Sequence, residues 1–120
     1  MEPSLKPVLF EGSSREGIRS FPPKARREAG YQLYRLQQGL PLSDAKPLRG
    51  VGRGVFEIRI HVEGEYRVVY LARHPEAVYV LHAFTKKTRR TPQRDLDLVR
   101  ERVREVNRGR SGAGGRAQKE

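Results

Sequence analysis

Between Val55 and Val62 the chain alternates, with Phe56, Ile58, Ile60 and Val62 on one parity and Glu57, Arg59 and His61 on the other. A period of two is the mark of a strand that buries one face. Tyr66 to Ala72 repeats the pattern through Tyr66, Val68, Tyr70 and Ala72, and Ala77 to Phe84 is apolar nearly throughout. The three runs predict consecutive antiparallel strands. On either side the period becomes helical. Ala25, Ala29, Leu33 and Leu36 recur on one face, behind Pro22 and Pro23, which suit a first turn, and ahead of Gly39, which suits a stop. A shorter helix is predicted toward Ser20, capped by Ser13 or Ser14. Beyond Pro92, Leu96, Val99, Val103 and Val106 define a last amphipathic helix.

The remaining segments read as connections. Pro7 to Phe10 is short and apolar, suited to an edge strand. Gly39 to Gly54 reads as one long loop carrying Lys46, Arg49 and Arg53. Tyr31 and Tyr34 flank the helical stripe and are expected to pack against the sheet rather than to stack on bases. A single domain is predicted over residues 1–107, with the Gly-rich, basic stretch 108–120 as a disordered tail. The element order implies an α+β fold: a small twisted antiparallel sheet with an N-terminal helical hairpin and a C-terminal helix.

Register sharpens this picture, because a slip of one residue would invert every side chain of a strand. Placing both apolar sets on one face requires an odd offset, met by a three-residue connection Glu63-Gly64-Glu65 or by a shorter turn with a bulge. Glu57, Arg59, His61 and Arg67 then share the opposite face with Val69 and Leu71. That face is expected to be open, and Arg67 to be a solvated strand residue.

Composition narrows the class of partner. The 120 residues include 25 Lys and Arg against 14 Asp and Glu, a formal net charge of +11. Such a surface attracts phosphate backbones through counterion release, and an acidic protein equally well. Only 36% of residues are hydrophobic and 32% are charged, so a single thin core is expected. With no cysteine, disulfides and thiolate metal sites drop out. No apolar run approaches the ~20 residues of a membrane span, and the default expectation is a cytoplasmic protein. Three histidines and the carboxylates show no metal-ligand spacing, so neither a metal site nor a cofactor is expected.

The most specific segment is His82-Ala83-Phe84-Thr85-Lys86-Lys87-Thr88-Arg89-Arg90-Thr91-Pro92. Together with Leu48-Arg49-Gly50, Gly54-Val55-Phe56-Glu57-Ile58-Arg59 and Tyr66-Arg67-Val68-Val69-Tyr70, it resembles the RelE/ParE toxins, nearest their phage-derived HigB-like branch. The resemblance runs from about Pro7 to Val106, and the RelE-like fold has the same element order. It implies the toxin of a type II toxin–antitoxin pair, an enzyme that cleaves messenger RNA in the ribosomal decoding site by attack of a ribose 2′-OH on the scissile phosphate. It further implies ribosomal RNA and a cognate antitoxin as partners, the antitoxin bearing acidic and apolar residues complementary to the basic surface.

Carried over by position, Arg67 matches the phosphate-binding strand arginine, Arg59 falls where a catalytic lysine or arginine sits, and Lys87 aligns with the basic residue after the last strand. His82 is a candidate for proton transfer, and His61 a weaker one. Lys46, Arg49, Arg53, Lys86, Arg89 and Arg90 are candidate RNA-binding cations. Two departures matter: Glu57 stands where well-known members carry a second lysine, and no tyrosine follows in the last helix, so acid and base stay unassigned. A toxin-like fold that inhibits DNA gyrase by binding, and a non-catalytic nucleic-acid-binding module, are the alternatives. The cations after the last strand favour RNA cleavage over the first, and the ordered motifs favour it over the second, which explains the charge equally well.

Overall fold

The computed structural model describes residues 5–111, with the side chain of Ser111 left aside. Its order is β1 (Val8–Phe10), α1 (Ser14–Arg19), α2 (Pro23–Gln37), β2 (Ala45–Pro47), β3 (Val55–Ile60), β4 (Tyr66–Leu71), β5 (Val78–Thr85) and α3 (Gln93–Ser111). The five strands form one sheet in the order β1-β5-β4-β3-β2. β2 to β5 pair antiparallel, and β1 joins the β5 edge in parallel, Val8 against Val78. The sheet is therefore mixed, and within its antiparallel part β3, β4 and β5 are the strands the alternation predicts.

Each face of the sheet has its own core. On one, α1 and α2 bring Ile18, Phe21, Ala25, Ala29 and Leu33 onto Ile58, Ile60, Val68, Tyr70, Val78 and Val80. On the other, α3 packs Val99, Val103 and Val106 against Val55, Val69, Leu71, Tyr79 and Leu81. The second face is thus only partly open, unlike the uncovered surface expected from the sequence. Tyr31 and Tyr34 also depart from expectation. They are 53% and 47% exposed, because the buried stripe of α2 runs through Ala25, Ala29, Gln32 and Leu33 and turns them away from the sheet.

β3 ends at Ile60, and Ile60 pairs with Tyr66 and Ile58 with Val68. The connection is five residues, His61 to Glu65, instead of three. The parity is unchanged, so every face assignment holds. The Gly39–Gly54 loop contains a strand that it does not advertise: Ala45–Pro47 is too short to show a period, and Pro47 is tolerated because β2 lies at the sheet edge.

A bulge in β5 sets the polarity of the second face. Val69 pairs with His82 but Tyr70 with Val80, leaving Leu81 as the extra residue. Leu81 enters the α3 core while His82, the next residue, sits across from Val69 on the same face. The bulge is held from both sides of the sheet. Arg102 of α3, 8% exposed, donates to the Leu81 carbonyl at 2.7 Å, and Ser14 donates to the Val80 carbonyl at 3.0 Å. Ser14 is consequently a stitch rather than a cap, and Ser13, the N-cap residue, makes no side-chain capping bond. Its hydroxyl instead accepts from Arg102 at 3.2 Å.

α3 runs on to Ser111, past the boundary at residue 107 read from the sequence; residues 112–120 of the expected tail lie outside the described residues. The extension has an anchor: Arg110 reaches Glu76 at 2.5 and 3.1 Å, and Tyr79 donates to the same carboxylate at 2.7 Å. Arg110 chiefly, against burial and with help from Tyr79, holds the Glu76 carboxyl at about 2, while burial first and Glu76 second push the Tyr79 hydroxyl to about 12. Since the folded value of Glu76 lies below its ordinary 4.5, its contribution is present above that pH and lost as pH falls toward about 2. Glu76→Gln is expected to lower stability at neutral pH by under about 1 kcal/mol for so exposed a pair, with the gap to wild type closing near pH 2. Thermal melts of both proteins across that range check it. Among the described residues no helix is long and apolar enough to cross a membrane.

Candidate functional site

α3 leaves uncovered the end of the second face where β3 stops and β4 starts. There Arg59 and Arg67 stand directly opposite each other on neighbouring strands. Like charges so placed repel, and the sheet meets the cost with carboxylates. Asp44, just before β2, accepts from Arg59 Nε at 2.8 Å. Glu65 accepts from Arg67 Nη1 at 3.1 Å, and Glu57 lies 3.9 Å from Arg67 Nε.

Arg67 is not the solvated residue its alternation suggested. It is 6% exposed and Glu57 is 5% exposed, because strands flank β4 on both sides and the arginine folds back to donate to the Tyr66 carbonyl at 2.9 Å. Its Nε is buried with no hydrogen-bond partner. A buried donor left unmade costs about 1–3 kcal/mol, and this one is a group that an acceptor from outside the protein, water or ligand, would complete.

His61 links the two arginine clusters. Nδ1 lies 2.9 and 2.8 Å from the two oxygens of Glu65, and Nε2 lies 2.8 Å from Asp44 Oδ2. Glu65 above all, then Asp44, raises the imidazole's pKa. The acids respond in kind. Burial pushes Asp44 up, but bonds from Arg59 and His61 outweigh it, and His61 holds Glu65 down with Arg67 assisting.

His82 lies on the same face, one strand beyond Arg67. Its Nε2 is 2.7 Å from Asp95 in the first turn of α3, and its ring stacks on Phe84 at 5.0 Å between centroids. The side chain is 11% exposed, so it borders the site from beneath the helix start.

The remaining sequence candidates divide. Lys86, Lys87, Arg89 and Arg90 occupy the segment that leaves β5 at the arginine end, where the Lys86 N–H donates to the Glu65 carbonyl. Lys87, Arg89 and Arg90 are exposed, while Lys86 turns its ammonium to the Arg89 carbonyl at 2.7 Å. Lys46 is exposed on β2 opposite Glu57, on the arginines' face. Arg49 and Arg53 are not brought there. They sit in the turn before Val55, four residues of strand from Arg59, roughly 13 Å.

Sequence reasoning missed the acids. Glu65 carried a signal, two residues before Arg67 and so on its face, and Glu57 was placed there without a role. Asp44 and Asp95 lie outside the strands, and only the folded chain brings them in.

The family model described as phage-derived protein Gp49-like matches residues 16–104. No curated protein matches the chain. The fold is similar to that of a free-state mutant of the E. coli toxin RelE, with a TM-score of 0.59 and 16% identity over 85% of this chain and 98% of that one. It is also similar to a chain of the RelBE2 toxin–antitoxin complex from Mycobacterium tuberculosis, with a TM-score of 0.51 and 23% identity over 71% of this chain and 95% of the other. The chain belongs to the phage-derived Gp49-like family and has the fold of the RelE toxins.

Proposed function

We propose that the protein is the toxin of a type II toxin–antitoxin pair and a ribosome-dependent messenger-RNA endoribonuclease. One observation carries this: two arginines face each other on the free end of the sheet, one of them with a buried N–H that no protein group satisfies. The phosphate of an RNA strand supplies the missing acceptor. The ribose 2′-OH attacks phosphorus, the bond to the 5′-oxygen breaks, and the products are a 2′,3′-cyclic phosphate and a 5′-hydroxyl end. Arg67 and Arg59 stabilise the charge that grows on the phosphoryl oxygens. His82, oriented by Asp95, is the group we assign to proton transfer between the attacking and leaving oxygens.

The exposed cations Lys87, Arg89 and Arg90 at the arginine end hold the flanking backbone, with Lys46 at the sheet edge. Dependence on the ribosome fits the free site, in which carboxylates already occupy the arginines and substrate positioning must do the rest. Exposed Tyr31, Tyr34 and Leu40, beside so basic a surface, suit an antitoxin with apolar and acidic residues.

Mapping transcript 5′ ends after induction tests the proposal. New 5′-hydroxyl ends inside translated regions, in register with codons and lost when translation is blocked, are the expected result. A DNA-damage response without new ends would mark a gyrase inhibitor instead. Equal cutting of naked and ribosome-bound RNA by the purified protein would remove the ribosome from the mechanism.

A further inference from the structure

Arg59, Asp44, His61, Glu65 and Arg67 form an unbroken run of alternating charge around the free end of the sheet. Asp44 offers Oδ1 to Arg59 and Oδ2 to His61, and Glu65 Oε1 serves both His61 and Arg67. We propose that His61 is a positioning residue whose imidazolium takes up Asp44 and Glu65 and so frees Arg59 and Arg67 for an RNA phosphate. The inference rests on the reading of those arginines as phosphate-binding, and deepens it by assigning how the site is unmasked.

The hydrogen-bond chemistry fixes the charge of the ring. Ionised carboxylates only accept, so an imidazole with an acid at each nitrogen satisfies both only when both nitrogens carry protons. No ring nitrogen is then left to trade a proton with RNA, which separates His61 from an acid or base role. Its effect passes through the acids. Six charged groups meet here: Arg59 and Glu57 on β3, Arg67 on β4, Asp44 ahead of β2, and His61 and Glu65 at the two ends of the connection. Two further pairs flank them, Lys24 of α2 with Glu63 at 3.5 Å, and Lys86 with its own loop carbonyl.

With His61 protonated, the three cations and three anions balance, and carboxylates displaced by a phosphate keep a cationic partner. With His61 neutral, the cluster carries one net negative charge and the acids have only the arginines to hold. The raised pKa gives the direction: the favourable form is complete at lower pH and disappears as pH rises through the folded value. Phosphate binding falls with it.

The test is anisotropy titration of a fluorescent 2′-O-methyl RNA hexanucleotide, which offers phosphates but no attacking hydroxyl, at fixed salt across the histidine range. Wild-type affinity is expected to drop about tenfold on raising the pH, the scale of one charge-assisted hydrogen bond. His61→Gln should bind weakly with little pH dependence, and His61→Lys, a fixed cation, should bind tightly with little pH dependence. Asp44→Asn with Glu65→Gln should bind more tightly than Glu101→Gln with Glu105→Gln, a pair of equal charge change on exposed α3 positions. Thermal midpoints accompany each variant, and Glu101 and Glu105 report the general effect of charge.

A His61→Gln profile that follows wild type would overturn the proposal. Equal tightening by the two double variants would also overturn it. Because no cleavage is measured, a protein that binds as expected but cuts no transcript would refute the enzymatic reading and leave this one standing.

Discussion

Arg67→Lys should abolish growth arrest on induction while leaving the fold intact. A lysine keeps a positive charge between Glu57 and Glu65 but loses the planar fork of donors, including the buried N–H now without a partner. Loss of a donor aimed at developing oxyanion charge typically lowers a rate by ~10² to 10³. Arg67→Ala should be as inactive but ambiguous. It strips the cation from two acids, one of them buried, and is expected to cost about 1–3 kcal/mol of stability as well. Ribosome-dependent cleavage and thermal midpoints measured on both variants separate the effects. Wild-type cleavage by folded Arg67→Lys would end the assignment of Arg67 to the phosphate.

Gly17→Ala should destabilise the protein, although Ala is the better helix former by about 1 kcal/mol. Gly17 lies in α1 where the helix rests on β5, and a Cβ there would stand 2.4 Å from the Ala83 carbonyl oxygen. Backbone cannot swing aside like a flexible side chain. The helix must lift from the sheet, loosening Ile18 and Ser14 at the bulge, and overpacking of this kind costs typically about 1–3 kcal/mol. Gly30 supplies the contrast. It lies in α2 with nothing within 4 Å of its would-be Cβ, so Gly30→Ala should stabilise by roughly 0.5–1 kcal/mol. Denaturant midpoints of opposite sign for the two variants are the expected outcome, and a stabilised Gly17→Ala would show that α1 does not press on β5.

These contrasts mark how far the sequence can be read. Alternation in β3 and β4 was sufficient for the strands and their shared parity, because a period of two leaves little choice once one face is apolar; the direct meeting of Arg59 with Arg67 depends on the five-residue connection, two residues of register away from the shorter turn read from the sequence. The helices followed from Ala25, Ala29 and Leu33 and from Val99, Val103 and Val106 for the same reason. The bulge at Leu81 was not legible. Val78 to Ala83 is apolar at five of six positions, and a run buried on both faces has no period to break. Neither was the burial of Arg67, which depends on the strands on either side and not on its own neighbours in sequence.

The end of α3 was hidden differently. Gly109 and the basic residues around it look like a tail until Glu76, more than thirty residues earlier, is brought beneath Arg110. The site's acids share that difficulty. Asp44 and Asp95 stand in unremarkable local sequence, and their role exists only once β2 has joined the edge and α3 has crossed the sheet.

The parallel pairing of β1 with β5 shapes the protein's synthesis. β1, α1 and α2 are made first, yet β1's partner strand and the surface under α1 belong to β5, some seventy residues later. Contacts so distant in sequence are slow to form, and a nascent chain cannot form them before the later strand emerges. β1 and α1 therefore wait with Val8 and Ile18 uncovered until β5 has been translated. Arg67 likewise lacks its flanking strand until β5 is present, and His82 lacks Asp95 until α3 begins. Under the proposed function, a partial chain still on its own ribosome has no assembled site to turn against it, and a message broken before β5 yields no active fragment.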